Sequence, residues 1–378
     1  MASRPLPPDP WPAVLAATVS DVTSVFAATE ERLIRQVALQ LRTRDVAEEA
    51  PRAAAVRALR VAGQDAVDQL KTDRDGLADR VIMRALTHGE SFAEAWVRDM
   101  LGQLPERPLA HGTVATALLV EDLHNRFEDV TRRVLRWPED VYRTVVSRTA
   151  PGMLLGVDTG RQAQTRAWRE LRRNGVTGFV DSIGRRWNLA TYVETATRTA
   201  SMRAFTDSNL STLSSYGIDL VTPVGASGQC DACGRWIGAV LSQGGAGART
   251  VQVPHATRDG VTVTVHVKGS VQDAYADGYG HPNCRHTLVG YFPGMAQPTG
   301  PEWTREAEDA QARLRALEVE VRRSKRDELG ALDETEAKTA RATTRRWQAR
   351  IRAHIEETGE PRRREREQLD YGHHMGAR

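Results

Sequence analysis

No run in the 378-residue sequence approaches eighteen uninterrupted apolar residues, which rules out a transmembrane helix. No apolar stretch follows the opening Met-Ala-Ser-Arg, which leads straight into prolines. A secretory signal is therefore not expected, and a reducing cytoplasmic origin is the default. An excess of one charge is missing as well: 52 Lys and Arg against 49 Asp and Glu leave a formal charge of +3. That surplus is too small for a whole-protein polyanion binder, so any nucleic-acid surface must be a local patch. Aromatics are sparse at 6%. No P-loop, Ser-His-Asp pattern or paired-carboxylate motif demands catalysis. What is present is a chain long enough for two or three domains, with enough hydrophobic residues (40%) to bury a core.

Five prolines between Pro5 and Pro12 make a stiff, extended arm over residues 1–12. Residues 13–150 then read as a helical N-terminal domain. Phe26, Leu33, Val37 and Leu41 recur at helical steps, Val56, Leu59, Gly63, Val67 and Leu70 form a second stripe, and Phe92, Trp96 and Met100 a third. A fourth helix is expected from about Thr113 to Leu135, stopped by Trp137-Pro138, with further helical stretches over Asp140–Ser147 and Asp158–Arg173. Asn174-Gly175 reads as a C-cap. Another helix begins near Leu189.

Composition shifts near Tyr216. Residues 211–300 hold 15 of the 30 glycines and few charges, and two stretches carry strand signals. Ile218–Val224 is one, and Val261–Val267, which alternates at period two, is the other. The fold class expected is therefore α+β: a predominantly helical N-terminal body, a small glycine-rich β-containing module (about 216–295, within a core of 151–300), and a long charged C-terminal helix. Residues 301–378 mix both signs, 18 basic against 17 acidic, around a thin apolar pattern of Leu314, Leu317, Val321, Leu329, Trp347, Ile351 and Ile355. This reads as a solvated helical tail, broken at Gly330 and disordered after Pro361, so a cut after Gly300 is expected to leave the body folded.

All three cysteines fall within one short window. Cys230-Asp-Ala-Cys233 and His281-Pro-Asn-Cys284-Arg-His286 give Cys-x2-Cys followed, after a long loop, by His-x2-Cys. Zn²⁺ takes four borderline ligands in a tetrahedron, and a two-residue spacer lets each pair wrap the ion from a tight turn. Cys230, Cys233, Cys284 and His281 would close that sphere and leave no position for a reactive water. Gly234 is expected to supply the positive-φ position of the first turn. A module this poor in core would gain a tether from the metal. Three other readings stand beside it. Cys-x-x-Cys could be a redox pair, although Trp236 follows it instead of preceding it. The cysteines could be ordinary buried small hydrophobes. Alternatively His281 only packs, and His286, His255 or His266 is the fourth ligand, with His266 the poorest choice because it lies opposite the valine face of its strand.

Gly175-Val-Thr-Gly-Phe-Val-Asp181, Gly184-Arg-Arg-Trp187, Tyr192-Val-Glu194 and Arg198-Thr199 precede the cysteines. Gly217-Ile-Asp-Leu-Val221, Cys230-x2-Cys233-x2-Trp236, Gly238-x-Val-Leu-Ser242, His281-Pro-Asn-Cys-Arg-His-Thr-Leu288 and Tyr291-Phe-Pro-Gly294 follow in order. Over roughly 20–295 this series resembles the phage minor capsid protein 2 family, related to the head-morphogenesis proteins of Mu-type tailed phages. Many of those carry Cys-Arg-Cys where this chain has Cys284-Arg-His286. The resemblance implies a structural minor head protein of a tailed phage, in several copies per virion, associated with the portal and the inner capsid face. It implies the portal protein and the major capsid protein as partners, and assembly in the host cytoplasm. It also implies help with head assembly or with DNA packaging and delivery, with no enzymatic activity.

Other residues admit two readings. Glu194 and Arg198 lie four apart and read as a structural ion pair rather than a catalytic cluster. Basic pairs such as Arg132-Arg133, Arg322-Arg323 and Arg345-Arg346 would make non-specific contacts with double-stranded DNA inside a packed head, but interleaved acids favour a solvated face. Two rival functions remain open: a zinc-dependent nuclease or head maturation protease using His255 or His286, and a zinc-ribbon DNA-binding protein.

Overall fold

The computed structural model describes residues 13–44, 48–105, 114–154, 160–173, 179–180, 186–187, 189–224, 230–245, 247–282, 284, 286–296 and 303–369. The proline-rich arm, the Asn174-Gly175 cap and most of the glycine-containing run 175–185 lie outside the described residues. The elements run α1 (Ala13–Thr43), α2 (Glu49–Arg74), α3 (Leu77–Leu101), α4 (Val114–Leu154), α5 (Gly160–Arg173), β1 (Phe179–Val180), β2 (Arg186–Trp187) and α6 (Leu189–Ser215). Then follow β3 (Leu220–Val224), α7 (Asp231–Gly234), β4 (Val240–Ser242), β5 (Arg249–Pro254), β6 (Thr262–Ser270), α8 (Val271–Ala276), β7 (Thr287–Gly290), α9 (Arg305–Leu329) and α10 (Glu334–Thr358). The α+β class read from the sequence is what the chain adopts: helices dominate, with a small five-stranded sheet.

Proximity of Cα atoms divides the chain into two compact units, each gathered from three separated stretches. One comprises Met1–Thr18, Ala78–Leu123 and Thr195–Gln311; the other comprises Val19–Leu77, His124–Glu194 and Ala312–Arg378. Spatial grouping therefore does not follow the succession of segments along the sequence.

The first unit holds the sheet, in strand order β5-β6-β4-β3-β7. β4 and β6 pair in parallel and every other pair is antiparallel. Alternation along β6 buries Val265 and Val267 and leaves Thr264 and His266 outward, the period-two pattern of a half-buried strand. Ser270 caps α8 reciprocally: its hydroxyl accepts from Asp273 N and the Asp273 carboxylate accepts from Ser270 N. On α3, Ala93, Trp96, Val97 and Met100 form one apolar stripe packed with Leu213, Val221, Leu241, Leu288 and Phe292. Two buried side-chain donors fix β7 within this core. Trp96 Nε1 donates to the Gly290 carbonyl at 2.9 Å, and Asn209 Nδ2 donates to the Leu288 carbonyl at 2.7 Å. Gly89 allows α3 and α6 to touch backbone to backbone, since a Cβ there would lie 2.3 Å from the Phe205 carbonyl oxygen.

The second unit is helical. Pro138 does not end a helix there: α4 runs on for 41 residues through it. An internal proline costs about 3 kcal/mol by removing a hydrogen bond and crowding the preceding turn. Burial on both sides of it outweighs that cost. Val134, Val141, Tyr142 and Val145 are all buried, and each such side chain contributes roughly 1.5–3 kcal/mol. Gly63 of α2 meets α4 at this point, with space for a Cβ only 2.9 Å from the Leu135 carbonyl oxygen and 3.6 Å from Pro138 Cγ.

The charged C-terminal segment is not a solvated tail either. α9 and α10 close on each other through Leu314, Leu317, Val321 and Ile351, with Trp347 and Ile355 alongside. The buried Trp168 of α5 donates its indole N–H to the Gly330 carbonyl at 2.7 Å. Arg172 donates to the Asp327 carbonyl at 2.6 Å, and Arg169 pairs with Glu336 at 2.6 Å. The abundant charges could not reveal this, because several of them are themselves buried partners. Glu318 pairs with Arg366 at 2.7 Å, and Glu367 with Arg362 at 2.7 Å. Residues 361–369 include a short 3₁₀ turn at Arg364–Glu367, and the rest of the end expected to be disordered, 370–378, lies outside the described residues.

Candidate metal centre

Both halves of the centre lie in the first unit. Cys230 stands at the head of the one-turn helix α7, and its carbonyl accepts from Cys233 N at 3.1 Å and Gly234 N at 2.8 Å. That turn carries both thiols toward the same point. Gly234 is helical, not at positive φ as expected; the positive-φ glycine comes later, at Gly238 (φ 75). Glycine is required at 234 for a different reason. Trp303 lies against it, and an added Cβ would sit 2.7 Å from Trp303 Cβ. Asp277 steadies the same knuckle, accepting from Trp236 Nε1 at 2.9 Å and from Arg235 at 3.2 Å, while Lys268 lies over the Trp236 ring. Nothing in sequence spacing pointed to Trp303 or Asp277, which reach the knuckle only through the fold.

The second half arrives from the turn ahead of β7. Gly278 (φ 94) and Gly280 (φ 71) adopt left-handed conformations that bend the chain sharply after α8. Cys284 N then donates to the His281 carbonyl at 2.9 Å, closing a second tight turn. The buried Tyr279 spans it, its hydroxyl donating to the Thr287 carbonyl at 3.1 Å.

The two turns, 51 residues apart in sequence, meet side chain to side chain. Cys230 Sγ is 3.0 Å from His281 Nε2, Cys233 Sγ is 3.6 Å from Cys284 Sγ, and Cys284 Sγ is 3.3 Å from His286 Nδ1. The donors form two triads that share Cys233: Cys230, Cys233 and His281, then Cys233, Cys284 and His286, each with its atoms within 4.8 Å of one another. The four donors expected from sequence are thus spread over both triads, and His286 joins as a fifth. His255 and His266 belong to neither. His266 Nδ1 is hydrogen-bonded to Thr250 Oγ1 across the β5–β6 ladder, and His255 accepts from Thr257 N.

Electrostatics follow from this crowding. The Cys233 side chain, and after it His281, hold the Cys230 thiol down to about 3. Cys233 and then His286 hold Cys284 down to about 4. Cys233 bears the opposite shift, pushed upward by its two cysteine neighbours and by burial. His281 is raised to about 9, chiefly by Cys230. The shifts are mutual: Cys233 is pushed up as Cys230 and Cys284 are pulled down, and each of those two thiols faces an imidazole, Cys230 with His281 and Cys284 with His286.

The donor chemistry fits a divalent ion of borderline softness. Four ligands around zinc with Zn–S near 2.3 Å place sulfurs roughly 3.8 Å apart; the Cys233–Cys284 separation of 3.6 Å is close to that edge. The buried His286 Nε2 has no hydrogen-bond partner among the described residues. An imidazole ligating through Nδ1 would still need an acceptor for that N–H, so the sulfur spacing, and not this nitrogen, carries the fit. The cluster could therefore hold a metal ion. A cavity of about 450 Å³ opens beside it, lined by Arg203, Asp207 and Tyr275 together with His281, Cys284 and His286.

Comparison with protein-family models matches residues 11–356 to the phage minor capsid protein 2 family. No curated protein matches the chain, and no solved structure does. Among the described residues, no helix is long and apolar enough to cross a membrane.

Proposed function

Because this chain belongs to the phage minor capsid protein 2 family, we propose that it is a non-catalytic structural protein of a tailed-phage head. We place it at the portal vertex and inner capsid face, where it contacts the portal and major capsid proteins and assists head assembly or DNA packaging and delivery. Its metal centre holds one Zn²⁺ through Cys230, Cys233, Cys284 and His281, with His286 as the alternative fourth ligand, and serves architecture. The family match supports the placement in the head. The observation that carries the metal reading is the meeting of two short turns whose thiols and imidazoles form two triads sharing Cys233. A closed four-ligand sphere supplies folding free energy and leaves no site for a reactive water. Mass spectrometry of purified heads, with and without DNA, tests the placement; heads lacking the polypeptide overturn it. Elemental analysis of the purified chain tests the metal, with about one zinc per chain expected.

A second reading, a zinc-dependent nuclease or head maturation protease, draws support from the cavity beside His281, Cys284 and His286. It needs three protein ligands and a bound water. Cobalt substitution separates the two. A tetrahedral spectrum that does not change with pH or added anions favours the closed structural site, and a water-bearing (pH- and anion-sensitive) or five-coordinate spectrum favours the hydrolase.

A further inference from the structure

Between α2 and α4, within the second unit, lies a groove of about 740 Å³ whose lining shares no residue with the metal centre. Its floor is apolar: Val61 is 61% exposed and Leu135 38%, two of the few large hydrophobic side chains left open to solvent. Its rim is basic. Arg57 and Arg60 stand one turn apart on α2, and Arg136 and Arg143 two turns apart on α4. Against these four arginines the lining offers Glu139 and Asp140. Glu139 is already engaged, receiving Arg60 bidentately at 2.9 and 3.1 Å and pairing also with Arg143. Those contacts hold its carboxyl below the usual range, Arg60 first. Among the described residues, Arg57 and Arg136 have no carboxylate partner.

We infer that this groove is a docking surface for an amphipathic helix of a partner protein, with apolar side chains toward the floor and carboxylates toward Arg57 and Arg136. Charge complementarity selects the sign of the occupant, and the floor selects its class. A nucleic-acid backbone would cover Val61 and Leu135 with phosphate and solvent and gain nothing from them. An apolar side chain seated there removes area from water at roughly 25 cal/mol per Å². From Arg57 to Gln64 the groove follows seven residue steps of α2, roughly 10 Å at 1.5 Å per residue. That length accepts about two turns of helix, reading anchors at i, i+4 and i+7. Arginine at the edge of an apolar pocket is also the composition enriched where interfaces concentrate their binding energy.

The test uses the full-length chain and three probes in fluorescence anisotropy: a short helical peptide with leucines at i, i+4 and i+7 flanked by glutamates, the same peptide with lysines for the glutamates, and a short duplex DNA. The glutamate peptide binds, and the lysine peptide does not. Val61→Asp, which places a carboxylate in the floor, weakens the glutamate peptide at least about tenfold. The double variant Arg57→Glu, Arg136→Glu weakens it by a comparable factor and reverses its salt dependence. All three positions are exposed, so these variants keep the wild-type circular dichroism. The inference fails if the glutamate peptide does not bind or binds Val61→Asp equally well. It also fails if the arginine variant loses duplex binding alone, which would make the groove a nucleic-acid face. The outcome does not bear on zinc content or on presence in the head, so the proposed function stands or falls separately.

Discussion

Cys233 is the donor that both triads share, and replacing it with serine tests the metal centre most directly. Its side chain is fully buried, so Cys233→Ser leaves a hydroxyl without solvent, a cost of about 1–3 kcal/mol if it finds no partner. Loss of the ion adds more. Structural zinc sites have apparent binding free energies of about 10–16 kcal/mol, and a site of about nanomolar affinity at about micromolar free zinc stabilises its fold by about 4 kcal/mol. The expected total is about 5–7 kcal/mol, felt in the module around residues 230–296. Zinc per chain, measured by mass spectrometry of the desalted protein, falls from about one to near zero. Hydrogen exchange rises across α7, β7 and the turn between α8 and β7 but not across α1 and α2. Unchanged zinc content with unchanged exchange would refute the reasoning. His281→Ala and His286→Ala then separate the alternatives for the fourth ligand: the true ligand's variant loses zinc, and the other retains it.

Three further outcomes follow from the packing. Gly89→Ala places a Cβ 2.3 Å from the Phe205 carbonyl oxygen, and the helix-propensity gain of about 1 kcal/mol does not offset the separation of α3 from α6; net destabilisation of about 1–3 kcal/mol is expected in urea unfolding, and a stabilised variant would contradict it. Removing residues 301–378 strips Trp168 and Arg172 of their partners, so helical circular dichroism falls by more than α9 and α10 account for and tryptophan emission shifts red; a truncated chain with unchanged melting would show that the tail is dispensable. Arg74 holds the Glu128 carboxyl below the usual range. A depressed carboxylate contributes stability that is present above the unfolded value near 4.3 and is lost as pH falls through the lower folded one, so Arg74→Met flattens the acid limb of the stability curve. An acid limb identical in Arg74→Met and wild type would show that the pair is not coupled.

Much of the fold was legible because periodicity is a direct consequence of burial. The stripes through Phe26, Leu59 and Trp96 mark α1, α2 and α3, and the alternation of Val261–Val267 marks β6. The cluster of donors was legible too, since both pairs carry the two-residue spacing of a turn that can wrap an ion, a spacing that a redox pair or plain burial would also fit. What sequence could not supply were decisions made by tertiary contact. Pro138 is a stop signal locally, yet the burial of Val134 and Val141 on either side keeps α4 continuous. Glu318, Arg322 and Glu367 look like solvated charges until their partners, 44 or more residues away or brought back by the 3₁₀ turn, are in place. Gly234 looks like a turn glycine, whereas the space beside it belongs to Trp303.

The hydrogen bond from Trp168 to Gly330 joins residues 162 positions apart. At about 5–20 residues per second of synthesis, the ribosome delivers the acceptor roughly 8–30 seconds after the donor. Through that interval the indole already has Ile34, Val37, Leu59 and Tyr142 of its cluster, delivered before it, while its N–H lacks the native acceptor. The Trp168–Gly330 bond therefore closes a cluster whose other buried members are all made before it, so the later segment completes that core and does not start it.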